Sequence, residues 1–167
     1  MKRIAVFIIA FTCLVGAAEF GHAATATNNL TVSASVVASC SIATTPISFP
    51  AISIPQSPVS AGGAVTVDCA AGQAWTITLS RGGAPAGAGR GMFFTGVRMI
   101  NYDLFKDAGN TQIWGDSGFA GTYPAGSGVA GVGTGAAQQL IVFGQAQSTT
   151  TTPAGNYTDI VVATVNF

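Results

Sequence analysis

The chain has 167 residues, with six lysines and arginines against six aspartates and glutamates, one histidine and a formal net charge of zero. Only 7% of the residues are charged while 49% are hydrophobic, which leaves no basic face for phosphates and excludes ordinary nucleic-acid binding. Low charge also protects weakly against self-association, a liability for a secreted monomer but acceptable in a polymer subunit.

Residues 1–24 read as a secretory signal. Lys2 and Arg3 form the positive start, and Ile4 to Val15 are an apolar run too short to span a bilayer. Gly21-His22-Ala23 or Ala24-Thr25-Ala26 offers a small-residue cleavage site. Small residues and Glu19 follow the run at once, which argues against a retained anchor, and Cys13 lies inside the run without the small residue that lipidation requires. Removing the segment leaves roughly 143 residues, suited to one domain.

The mature part opens on an alternating leader. From Leu30 to Cys40 the residues Leu30, Val32, Ala34, Val36 and Ala38 share one face, and Thr31, Ser33 and Ser35 the other. That two-residue period predicts a strand with one buried face. Next, Pro46, Pro50, Pro55 and Pro58 punctuate an apolar stretch around Ile47, Phe49, Ile52 and Ile54. Proline cannot donate to a central ladder, so this is an edge strand or an extended loop.

Ala64 to Cys69 alternates, with Val65 and Val67 on the face of Cys69, and Trp75, Ile77 and Leu79 alternate against Thr76, Thr78 and Ser80. Gly82 to Gly91 reads as a loop. Ile100 to Lys106 and Gln112-Ile-Trp114 read as a hairpin turning at Asp107-Ala-Gly-Asn110. Gly115 to Gly135 has no periodicity and reads as an exposed loop, Leu140 to Phe143 as a short strand, and Ser148 to Gly155 as a loop. Tyr157 to Phe167 alternates like the leader, so the chain is expected to stop in mid-strand. Several short strands between turn signals, and no helical period, predict an all-β antiparallel sandwich.

Without the signal two cysteines remain, Cys40 and Cys69. In an oxidising compartment a disulfide is the default, closing a loop of roughly 30 residues and adding about 3–4 kcal/mol. A metal site or a reactive thiol is the alternative; a metal site needs further ligands, and the sole histidine, His22, sits at the signal's edge.

Other chemistry finds little support. Gly87-Ala-Gly89-Arg-Gly91 and Gly131-Val-Gly133-Thr-Gly135 lack the strand–helix setting and the lysine of a phosphate loop. Asp103, Asp107 and Asp116 match no calcium spacing and suit turns. Nucleophilic catalysis needs a base, and Lys106 in an alternating strand is better read as a solvated side chain. No enzyme activity, catalytic residue, metal or cofactor is expected. Trp75 shares a face with Ile77 and Leu79 and reads as core, whereas Trp114 stays open as a sugar-binding surface.

Several segments resemble the spore coat protein U domain family, which includes subunits of archaic (Csu-type) chaperone–usher pili. They are Leu30-Thr-Val-Ser-Ala-Ser-Val36 before Cys40, Val65-Thr-Val-Asp-Cys69, Trp75-Thr-Ile-Thr-Leu79 and Asn101-Tyr-Asp-Leu-Phe-Lys-Asp107. The most specific is Gly155-Asn-Tyr-Thr-Asp159, running on to Thr164-Val-Asn-Phe167. The resemblance implies an incomplete immunoglobulin-like sandwich, completed by a donor strand from a neighbouring subunit. It implies residues 1–24 as signal peptide, 25–36 as donor-strand extension and 37–167 as pilin domain. Leu30, Val32, Ala34 and Val36 become the donor face, Val161, Ala163, Val165 and Phe167 part of the acceptor groove, and Cys40–Cys69 the family disulfide.

The implied partners are copies of the chain or related pilins, a periplasmic chaperone and an outer-membrane usher, with export through the periplasm to a surface fimbrium that supports adhesion and biofilm formation. The long Gly-rich loop and the small Ala34 depart from the family pattern. Two rivals accompany this reading: a secreted carbohydrate- or surface-binding module using Trp114 and the Gly-rich loop, and a spore or cyst coat protein.

Overall fold

The computed structural model describes residues 24–53, 58–83, 85–86, 89–95, 97–116 and 128–167. Residues 1–23, most of the long Gly-rich loop and residues 54–57 of the proline-rich stretch lie outside these residues. The described residues contain no helix. They belong to two units, a leader ending at Ser35 and the sandwich, Val36–Phe167.

Strand β1 (Cys40–Thr45) pairs antiparallel with β2 (Val59–Cys69). After β3 (Ala74–Leu79) come β4 (Pro85–Ala86), β5 (Gly89–Phe94) and β6 (Val97–Phe105), and then β7 (Val129–Val132), β8 (Gln138–Gln147) and β9 (Ala163–Asn166). One sheet runs β1-β2-β8-β6-β5-β4 and the other β7-β3-β9. All pairings are antiparallel. The alternation explains why the sheets stack. Val65, Val67 and Cys69 of β2 and Trp75, Ile77 and Leu79 of β3 are buried, and they meet Ile100, Tyr102, Leu104 and Val142 in one core.

The structure corrects several expectations. The leader carries no strand: the ladder starts only at Cys40, and Leu30, Val32 and Val36 are exposed. A lone strand is not stable without a partner ladder, however well its sequence alternates. The terminal strand shrinks to Ala163–Asn166, with residues 157–162 outside it. Both Gly-rich stretches read as loops contain strands, β4 and β5 in one and β7 in the other, because pairing with β6 and β3 overrides glycine's poor strand preference. Strand β8 extends well beyond Leu140–Phe143, since the residues that lengthen it are mostly glutamines, which give no apolar signal. The Asp107–Asn110 turn forms, but its return is a single bridge, Phe105 to Ile113.

Cys40 and Cys69 stand opposite each other across β1 and β2 and form a disulfide. Trp114 is core, not surface: it is 1% exposed, and its indole Nε1 donates to the Ile77 carbonyl at 2.9 Å. That removes the aromatic platform on which the sugar-binding reading leaned.

Candidate functional site: an open groove between the sheet edges

A groove of about 1150 Å³ opens along one side of the sandwich. Its floor is the core itself, with Val65, Leu79, Met92, Ile100, Leu104 and Val142 lining it. Ile47, Phe49 and Ile52, from the proline-punctuated segment after β1, form one wall. The prolines keep that segment out of any ladder, so its alternate apolar residues turn onto the core as a loose flap. The sheet makes room for it at Gly144, where a Cβ would press into the Phe49 ring at 2.9 Å.

Residues 152–161 and Ala163 form the opposite wall. Here the chain crosses from the large sheet to the small one. Thr158 exchanges backbone hydrogen bonds with Phe93 of β5 at 2.9 and 3.1 Å, and Ser80 N–H donates to the Val162 carbonyl at 2.9 Å. The Tyr157 ring tilts against Phe94, centroids 5.4 Å apart, while its hydroxyl donates to the Pro153 carbonyl at 2.6 Å. Asp159 accepts from the Tyr102 hydroxyl at 2.6 Å and from Gly83 N–H at 2.8 Å.

Beyond this wall β9 pairs with β3 on one side, and among the described strands nothing pairs with its other edge. Val161 and Ala163 line the groove, and Val165 packs against the core. Phe167 lies past the end of β9, is 58% exposed and does not line the groove. Of the four residues assigned to the acceptor side, Val161 and Ala163 therefore line the groove, and Val165 and Phe167 do not. The structure adds Ile47, Phe49, Ile52 and the floor, which a local alternation pattern does not assign to a common cleft.

Below the groove lies a buried cation. Arg90 is fully buried and donates through Nε to the Ser80 carbonyl and through one Nη to the Leu79 and Trp114 carbonyls, at 2.8–3.0 Å. Burial lowers its pKa, opposed by Tyr102, Asp103, Asp116 and Asp159 nearby. Burial first, and then the hydrogen bond to Asp159, push the Tyr102 phenol far up, so it stays a donor. Arg90 therefore ties the end of β3 to β5, a structural bond rather than a chemical tool. Among the described residues no group of three histidine, cysteine or carboxylate side chains could hold a metal. Asp107 instead accepts from the backbone of Thr111 and Gln112, as a turn aspartate does.

Two antiparallel sheets around one core, one of them ending on an unpaired edge beside an open groove, define an incomplete immunoglobulin-like sandwich. The chain belongs to the spore coat protein U domain family, whose model matches residues 26–164. Among solved structures it is similar to the crystal structure of the CsuC-CsuE chaperone-tip adhesion subunit pre-assembly complex from archaic chaperone-usher Csu pili of Acinetobacter baumannii. The TM-score is 0.53 and the identity 22%, over 79% of this chain and 40% of that one. The chain therefore spans less than half of that neighbour, and the likeness is one of fold. No curated protein matches the chain.

Proposed function

We propose that the chain is a structural subunit of a surface pilus that polymerises by donor-strand exchange. The observation that carries this is the groove itself: apolar floor, unpaired β9 edge and an exposed alternating leader occur in one chain. A strand added at that edge supplies backbone hydrogen bonds and fills the groove with every second side chain. In this reading Leu30, Val32, Ala34 and Val36 of one copy enter the groove of the next. Burial of Leu30, Val32 and Val36 would contribute roughly 1.5–3 kcal/mol each, before the cost of ordering the leader. Such a head-to-tail contact does not close on itself and builds a filament.

The rest of the assignment follows from the same reading. Residues 1–24 direct export, 25–36 are the donor extension and 37–167 the pilin domain. A periplasmic chaperone covers the groove before an outer-membrane usher exchanges it for a neighbour's leader, and the fibre reaches the cell surface, where it supports adhesion and biofilm formation. The family match and a neighbour solved as a chaperone–subunit complex support this. No catalytic step is assigned to the chain.

The test moves Ala24–Val36 to follow Phe167 through a short flexible turn, at several linker lengths. A tethered strand has an effective concentration in the millimolar range, so it should outcompete exchange between chains. The expected product is a monomer that needs no chaperone and unfolds at a higher temperature than the strandless core. Aggregation or chaperone dependence at every linker length would overturn the assignment.

A further inference from the structure

The leader is joined to the sandwich by a very short tether. Between Val36, the last residue of the donor face, and Cys40, the first of β1, stand only Val37, Ala38 and Ser39. Those four Cα steps reach about 14 Å at most. The root of the tether is fixed, because the Ser39 carbonyl accepts from Ala70 N–H at 3.1 Å and the disulfide holds Cys40 to Cys69. Two turns, residues 70–73 and 133–136, form a base around this root. Gly72 N–H donates to the Gly133 carbonyl at 2.9 Å, Gly133 N–H to that of Gln73 at 2.7 Å, and Gly135 N–H to that of Cys69 at 3.1 Å.

The groove runs away from this base. Thr45 stands level with Ala64 of β2 and Ala146 level with Val59, so about 17 Å of β2 separates the two levels. Thr44 and Thr45 line the groove at the near level, and Ser148, just past the end of β8, lines it at the far one. Residues 30–36 span about 20 Å when extended, so a bound leader takes up that length. Every ladder of the sandwich is antiparallel, and antiparallel pairing is the more stable per residue. A leader bound antiparallel to β9 and the wall before it therefore starts near Ala163 and ends near residues 152–156. Beside that end lies the turn of residues 149–152, closed by Thr152 N–H to the Thr149 carbonyl at 3.1 Å and by Thr149 N–H to Thr152 Oγ1 at 2.9 Å. Thr149, Thr150 and Thr151 are exposed and do not line the groove.

We infer that consecutive copies of the chain also touch outside the groove: the base of the donating copy, residues 70–73 and 133–136, docks on the turn of residues 149–151 of the receiving copy. This rests on the groove being a strand-binding site. With Val36 at the far end of the groove, the tether leaves the neighbour's Cys40 within about 14 Å, so the two sandwiches abut there. In a bound strand Val37 turns away from the groove; it is 77% exposed in the free chain, and the contact gives it cover. No residue of the base turns or of residues 149–151 is charged, so no like charges oppose the approach. The base and the threonine turn lie at opposite ends of one sandwich, so the contact repeats head to tail along a filament.

The test uses the full mature chain, refolded with Cys40–Cys69 closed and left to polymerise through its own leader. One variant carries Ala71→Cys with Thr150→Cys, and a second carries Ala136→Cys with Thr151→Cys. The polymers are oxidised with diamide and boiled in detergent without thiol. Two thiols in a docked contact have an effective concentration in the millimolar range, so each double variant should give a covalent ladder at least about tenfold stronger than its single variants. Polymers that form but give no ladder in either pair would overturn the contact while leaving the groove reading intact. Covalent dimers from Ala71→Cys alone would show base meeting base, as a parallel leader requires, and would overturn the contact as assigned. No polymer from the parent chain would overturn the groove reading and the contact with it.

Discussion

Phe49 stands edge-on to Tyr102, ring centroids 6.3 Å apart and planes at 62°, so that a loose flap leans on the same tyrosine whose hydroxyl holds the opposite wall through Asp159. Tyr102 thereby links both sides of the groove. Its ring meets the flap and its hydroxyl meets the wall, with the floor of β6 between them. The shape of the cleft depends on contacts between segments far apart in the chain, and single changes at this junction should be felt at both walls.

Phe49→Ala removes the flap's largest contact with the floor. Because Phe49 is only half-buried, the loss should fall just below the range for a fully buried aromatic, at about 2–3 kcal/mol. Urea unfolding of the mature chain should show a lower midpoint at unchanged slope, and capture by a pilus chaperone should fall with it. An unchanged midpoint would mean that the flap contributes nothing to the sandwich.

The Cys40–Cys69 bond joins directly opposed residues of β1 and β2 and closes a span of 29 residues. Cys40→Ser should therefore lower stability by about 3–4 kcal/mol, mainly by freeing the unfolded chain. Loss of β1 pairing would also loosen the segment from Ser39, whose carbonyl accepts from Ala70 N–H at 3.1 Å. Denaturation of the two forms measures the difference. Alkylation of both thiols in the unreduced mature protein, seen by mass spectrometry, would contradict the disulfide.

Asp103 gives a pH signature. Burial pushes its carboxyl above the usual range, with Arg90 pulling the other way less strongly. A raised folded value means that the folded state favours the protonated acid; the associated stability is fully present below the unfolded value and is lost as pH rises through the folded one. At neutral pH the ionised carboxylate is thus a net cost. Asp103→Asn should raise the melting temperature at neutral pH, and the gain should vanish near about pH 3, below the ordinary aspartate value of about 3.9. A lower melting temperature for the variant at neutral pH would show that attraction to Arg90 outweighs burial.

The sequence by itself determined what depends on local period and on compartment. Alternation at Val65–Cys69 and Trp75–Leu79 marked the strands and their buried faces, because a two-residue repeat is a property of each strand alone. Two cysteines behind a segment that reads as an export signal were enough to expect the bond that the structure contains. The terminal Gly155–Asp159 motif pointed to the family whose model matches the chain.

Only the tertiary structure decided which residues share a cleft. The groove draws on residues from Thr44 to Ala163, and it exists where two sheet edges fail to meet, which no local repeat encodes. Trp114 and Arg90 became core because Ile77, Leu79 and Ser80 offered carbonyls to their N–H groups, partners 10 and 11 residues away for Arg90 and 37 for Trp114. The strand expected over Tyr157–Phe167 was cut short for the same reason. Thr158 found a partner in β5 and Ala163 a partner in β3, so the segment between them had to cross from one sheet to the other. Hydrogen-bonding partners supplied at long range, rather than the strand preference of the residues, set where that wall begins and ends.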